Sequence, residues 1–212
     1  AYKLLKAIEY FKISVRGKVC IDIGASTGGF TDVLLSEGAG RVYAVDVGYG
    51  QLAWKLRNDP RVVVMERTNA RFLNSELFDG KKADMIVSDA SFISLKLLLP
   101  PAQELLTSCG LIVALVKPQF EVSREEAQGG VVDSAALHVG VIEDMTSFIE
   151  TQTKLELLGR TFSPIKGPEG NIEFLFLLGL KGQSGRKPDI IDAEALVEEA
   201  HRQTADKGGT QK

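Results

Sequence analysis

Val19-Cys20-Ile21-Asp22-Ile23-Gly24-Ala25-Ser26-Thr27-Gly28-Gly29-Phe30 is the stretch on which the fold turns. Its first half is a short apolar run, so Lys18 to Ile23 reads as a strand. Its second half is rich in glycine, and a helix follows around Thr31 to Glu37. Small residues at Gly24, Gly28 and Gly29 let a backbone approach a ligand closely. The start of the following helix offers free N–H groups and partial positive charge.

Outward from this unit, short apolar runs alternate with amphipathic stretches. Arg41 to Val45, Val62 to Glu66, Asp84 to Ser88 and Leu111 to Val116 read as further strands. Helices are expected at Gln51 to Arg57, Leu97 to Leu106 and Ala135 to Thr151. A first helix carries Leu4, Leu5, Ile8 and Phe11 on one face. Leu155 to Ser163 and Asn171 to Leu180 are consecutive strands joined by a Pro/Gly-rich turn. Alternation of this kind implies an α/β fold with helices on both faces of a mostly parallel sheet. The closing pair adds an antiparallel last strand to a seven-stranded, Rossmann-like sheet. Residues 1–181 are expected to form this domain. Residues 182–212 read as a linker, a terminal helix within Ile190 to Gln203, and a disordered tail from Ala205.

The 212 residues suffice for one substantial core and fall short of two average domains. Hydrophobic residues make up 44% and charged ones 25%, as in ordinary soluble proteins. The longest apolar runs are far below the ~20 residues of a membrane span. No signal peptide is read, and a cytoplasmic location is expected. Cys20 and Cys109 both lie among apolar residues without metal-like spacing, so both are expected to be buried thiols. The net charge of −3 does not advertise nucleic-acid binding. The first 18 residues, however, carry Lys3, Lys6, Lys12, Arg16 and Lys18 against Glu9 alone. That basic end suits phosphate contacts, and a solvated helix face predicts the same pattern. The chain opens on Ala1 already in helical pattern, so an N-terminal segment is expected to precede it.

The spacing Gly-x-x-x-Gly-Gly departs from the Gly-x-Gly-x-x-Gly dinucleotide fingerprint. Two carboxylates sharpen the reading. Asp22, placed inside the turn, can face the cationic amino group of a methionine moiety. Asp46 ends the second strand, where it can accept hydrogen bonds from ribose hydroxyls. The pair favours S-adenosylmethionine over a nicotinamide cofactor. The expected binding set is Asp22, Gly24, Ala25, Ser26, Thr27, Gly28, Gly29, Phe30, Asp46, Val47, Asn69 and Asp89. Asn69, after the third strand, can face an adenine edge or simply form a turn. No metal site is expected.

Asp89 and Lys117 follow the fourth and fifth strands directly. Ligands of open parallel sheets bind beyond these carboxyl ends. A lysine closing Leu-Ile-Val-Ala-Leu-Val must bury part of its stem. A hydroxyl that accepts a methyl group has to lose its proton, and a buried lysine near another cation can serve as the base.

With Lys3 and Glu173 added, the chain resembles the FtsJ-type RNA ribose 2′-O-methyltransferases, most closely their TlyA (hemolysin A-like) subgroup. Asp22 to Thr31, Val45 to Leu56, Asp59 to Arg71, Ser88 to Ser94, Val116 to Glu121 and Gly170 to Phe174 carry the likeness. The resemblance implies a catalytic Lys-Asp-Lys-Glu tetrad at Lys3, Asp89, Lys117 and Glu173, with Lys117 as the base. It implies cytidine ribose in ribosomal RNA as substrate, and ribosomal RNA or ribosomal subunits as partners. It also implies that longer relatives carry a small RNA-binding domain before the first helix. Two other readings stand beside it: a hemolysin-like membrane-active protein, which the absence of membrane-length segments argues against, and a methyltransferase of small hydroxyl compounds.

Overall fold

The computed structural model describes residues 1–206. Seven strands form one sheet: β1 (Val19–Ile23), β2 (Arg41–Val45), β3 (Val62–Met65), β4 (Ala83–Ser88), β5 (Leu106–Val116), β6 (Leu155–Phe162) and β7 (Phe174–Leu180). Their spatial order is β3-β2-β1-β4-β5-β7-β6. β1 pairs in parallel with β2 and β4, and β4 with β5. β7 runs antiparallel to both neighbours, inserted between β5 and β6. The order reverses at β1, so the crevice beyond the carboxyl ends of β1 and β4 is where ligands of such sheets bind.

Among the described residues, six α-helices flank the sheet: α1 (Tyr2–Tyr10), α2 (Gly29–Ser36), α3 (Trp54–Arg57), α4 (Leu95–Gln103), α5 (Ala135–Gln152) and α6 (Ala193–Asp206). Strand residues alternate between two cores. Ile112, Ala114 and Val116 join the core under α4, α5 and α6. Leu111, Val113 and Leu115 join the core under α1 and α2. Both faces are therefore buried, as the apolar runs require.

Several boundaries differ from the sequence reading, and three have a visible cause. α4 begins at Leu95 because the Ser94 side chain accepts from Lys96 N at its start. β5 begins at Leu106, since its register against β4 shifts between Ala83 and Met85 and lets the strand bulge over 107–110. Cys109 lies in that bulge and is exposed, contrary to expectation; Cys20 is buried in β1. β7 begins only at Phe174, because the backbone before it is still in the turn: Gly167 N donates to Asn171 O at 2.8 Å, while the Asn171 side chain accepts from Val132 N and donates to Gly130 O.

Beyond β7, Arg186 donates to the carbonyls of Phe11 and Lys12. Leu196, Val197 and Ala200 of α6 lie in the core with Met145 and Ile149 of α5. The expected tail falls partly in α6, which runs to Asp206, and its remainder lies outside the described residues. Two of the N-terminal lysines turn inward: Lys3 pairs with Glu173, and Lys6 Nζ lies 3.5 Å from the centroid of the Phe162 ring.

Candidate active site

Pleating alone puts three of the expected residues on one face. Val87, Leu115 and Leu175 all belong to the core beneath α1 and α2. Side chains two positions apart in a strand share a face. Asp89, Lys117 and Glu173 therefore continue the α1 side of β4, β5 and β7. The β5–β7 register pairs Leu115 with Leu175 and Val116 with Phe174, so its next step sets Lys117 opposite Glu173. α1 lies over this face, anchored by Leu4 and Ala7, and delivers Lys3.

The four side chains form two ion pairs on this face. Lys3 Nζ donates to Glu173 Oε2 at 2.6 Å. Lys117 Nζ lies 2.7 Å from Asp89 Oδ1. Lys117 and Glu173 are buried, at 7% and 1% exposure. Burial pushes the Glu173 carboxyl above its ordinary range, and the Lys3 hydrogen bond opposes the rise. Glu173 Oε1 has no hydrogen-bond partner, and it is covered by the backbone of Gly167.

Two hollows, each of about 340 Å³, adjoin the glycine turn. The first is bordered by Gly24, Ser26, Asp46, Val47, Asn69 and Asp89 among the expected residues. Its apolar wall includes Ile93 and Leu98. The second is bordered by Lys3, Gly24, Ala25, Ser26, Thr27, Gly29, Phe30, Asp89 and Lys117. Ile165 and Pro168, from the loop between β6 and β7, close its far side.

Asp22, Gly28 and Glu173 border neither hollow. Asp22 was expected to face a ligand from within the turn. It lies instead in β1, fully buried, with Oδ2 accepting from Thr31 Oγ1 at 2.7 Å. Burial pushes this carboxyl up to about 7; Asp89 and Asp46 add to the rise, and the Thr31 hydroxyl opposes it. Gly28 has φ +101°, and a Cβ there would run into Leu56 and Leu52. Its glycine serves the packing of the turn against the α3 segment. Gly24 serves a similar purpose: a Cβ would sit 2.9 Å from Asp89 O, so glycine lets the turn lie against the end of β4.

Asp46 is already engaged by backbone. Its two oxygens accept from Ser26 N at 2.7 Å and Gly48 N at 2.8 Å. Each carboxylate oxygen keeps capacity for a further donor. Asn69 Oδ1 accepts from Arg71 N, a turn-forming bond, while the residue also borders the first hollow. Ser91 escaped the sequence reading: its Oγ accepts from Lys117 Nζ at 2.9 Å. So did Thr31, the partner of Asp22, and Phe92, which is 87% exposed at the rim with φ +64°. Only tertiary packing assigns these neighbours.

Residues 1–180 match the FtsJ-like methyltransferase family. The chain belongs to that family. This FtsJ-like methyltransferase is 47% identical to the Bacillus subtilis protein YqxC, carried under an rRNA methyltransferase name, over 97% of its own length and 74% of the relative's. It is 46% identical to the 16S/23S rRNA (cytidine-2′-O)-methyltransferase TlyA of Mycobacterium tuberculosis, over 95% and 73%. A Streptococcus thermophilus protein solved under a hemolysin name superposes with a TM-score of 0.90 at 43% identity, covering 99% of this chain and 75% of that one. Among the described residues, no helix is long and apolar enough to cross a membrane.

Proposed function

We propose that the protein methylates the 2′-hydroxyl of a cytidine ribose in ribosomal RNA, with S-adenosylmethionine as methyl donor. The observation that carries this reading is the convergence of Lys3, Asp89 and Lys117 on a hollow that shares the glycine turn with a second one, with Glu173 holding Lys3 from behind. When bound, the cofactor supplies an electrophilic methyl group.

The residues fit such a cofactor. Asp46, at the end of β2, suits the ribose hydroxyls of an adenosine. The apolar wall of Val47, Ile93 and Leu98 suits a purine, with Asn69 at its edge. Ser26, Thr27 and Gly29 line the passage towards the tetrad.

Lys117 holds the catalytic role: as the neutral amine it accepts the proton of the ribose hydroxyl at Nζ. General base catalysis contributes typically ~10²–10⁴-fold. Asp89 holds the resulting ammonium. Lys3, tied to Glu173, brings a second positive charge to the wall of the hollow, where an RNA phosphate or the ribose can meet it. The substrate points to ribosomal subunits as partners and to the cytoplasm as the place of action. Residues 1–181 would form the methyltransferase unit, and α6 packs against it through Leu196, Val197 and Ala200.

Tritiated-methyl transfer to isolated ribosomal subunits, followed by mapping of the modified ribose, tests the reading. Label at a cytidine 2′-oxygen supports it. Transfer to small hydroxyl compounds but not to ribosomal RNA overturns it. Liposome leakage without methyl transfer would instead favour the membrane-active reading.

A further inference from the structure

We propose that Ser91 is the positioning residue for Lys117, fixing the direction in which its amine points. The inference rests on the reading of Lys117 as the base. Lys117 Nζ lies 2.7 Å from Asp89 Oδ1, in an ion pair. A hydrogen bond goes to Ser91 Oγ at 2.9 Å.

Two acceptors matter for a lysine that works as a base. A neutral amine has two N–H bonds and one lone pair, arranged roughly as a tetrahedron with the stem. With Asp89 alone, the amine can rotate about its last carbon–nitrogen bond. With Ser91 as second acceptor, both N–H bonds are directed and the lone pair takes the remaining direction. During transfer the ribose O–H bond breaks as an N–H bond forms on Lys117, and the oxygen takes the methyl group from the sulfonium, which leaves as a neutral thioether. The new ammonium keeps both acceptors.

Ser91 is placed to do this reliably. It borders both hollows, as do Gly24, Ser26 and Asp89. Its loop is pinned on either side. Asp89 N donates to Ile23 O at 3.0 Å. Beyond Ser91, Ser94 Oγ and Leu95 N donate to the two oxygens of Glu121, at 2.6 and 2.9 Å. Glu121 follows Lys117 by four residues, so the carboxylate ties the loop of the serine to the segment of the lysine.

The test is single-turnover methylation of ribosomal subunits by Ser91→Ala and Ser91→Thr proteins, with S-adenosylmethionine affinity measured by calorimetry. Ser91→Ala should slow transfer about 10–100-fold, the scale of a misplaced reacting group. The cofactor dissociation constant and the KM for RNA should change less than threefold. Ser91→Thr, which keeps the hydroxyl at an exposed position with room for a methyl group, should recover most of the rate. A Ser91→Ala rate within threefold of the parent, or a threonine variant no better than alanine, overturns the role of Ser91. A Lys117→Ala protein run in parallel separates the two readings. If it keeps its rate, the base assignment itself has failed; if it is inactive, only Ser91 is under trial.

Discussion

Lys3 and Glu173 are 170 positions apart in sequence, yet Lys3 Nζ lies 2.6 Å from Glu173 Oε2. The carboxylate's second oxygen is buried without a partner. A buried charge that loses its counter-ion is expensive. Lys3→Met should therefore destabilise the protein by about 3–5 kcal/mol near neutral pH, the usual cost of breaking such a pair. Burial already raises the Glu173 carboxyl, and Lys3 opposes that rise. The loss in the variant should thus grow as pH climbs above the ordinary carboxylate range and shrink in acid, where Glu173 is protonated. Adding Glu173→Gln should restore part of the stability. Urea unfolding at pH 4.5 and pH 8 decides it: a loss independent of pH would mean that α1 packing, not the ion pair, is what the substitution disturbs.

Asp22 gives a second pH dependence of the same sign. Its carboxyl is pushed up to about 7 in the folded protein, against 3.8 ordinarily. Between those values the folded state binds a proton that the unfolded state has released. Stability must then fall as pH rises through that window and level off above it. Asp22→Asn removes this linkage, and the amide keeps the shape beside Thr31. The variant should gain on the parent by roughly up to 4 kcal/mol between pH 4 and pH 8, an upper bound set by the shift. Parallel unfolding curves at several pH values, with equal slopes for parent and variant, would rule this out.

Much of the architecture was legible because it depends on local pattern. The run Val19 to Ile23, the glycine turn and the repeated alternation fix a parallel sheet with one antiparallel strand. The positions of Asp89 and Lys117 follow from where apolar strands stop. What stayed hidden depends on neighbours distant in sequence. Asp22 faces Thr31 because β1 side chains on that side pack under α2. Ser91 touches Lys117 because Glu121 holds two loops together. Cys109 is exposed because a register shift against β4 throws its part of β5 into a bulge. None of these has a periodic signature.

Asp46 joins cofactor recognition to the shape of the turn. Asp46→Ala removes the acceptor for Ser26 N and Gly48 N together with any bond to ribose hydroxyls. Affinity for S-adenosylmethionine should fall by about 1–3 kcal/mol, the scale of hydrogen bonds to a charged group. Asp46→Asn keeps acceptor capacity at one oxygen and should lose less. Calorimetry with S-adenosylmethionine and with its demethylated product should show similar losses, because the ribose is common to both. Unchanged affinity in the alanine variant would remove Asp46 from the cofactor site.

Lys117 carries the sharpest prediction. It is buried at 7% exposure and opposite Glu173 in the extended β5–β7 register, with Asp89 and Ser91 on its ammonium. Lys117→Ala should lower single-turnover methylation of ribosomal subunits by ~10²–10⁴-fold, the range of general base catalysis. Its affinity for S-adenosylmethionine should hold, since the glycine turn and Asp46 are untouched. Lys117→Arg discriminates between two roles for the residue. A guanidinium keeps a positive charge near Asp89 but stays protonated at any working pH. If the lysine takes the ribose proton, the arginine enzyme should be nearly as slow as the alanine one. If positive charge alone steers the ribose or a phosphate, arginine should recover much of the rate. Near-normal transfer by Lys117→Arg, with cofactor affinity intact, would end the general-base assignment and leave the tetrad as an electrostatic cradle.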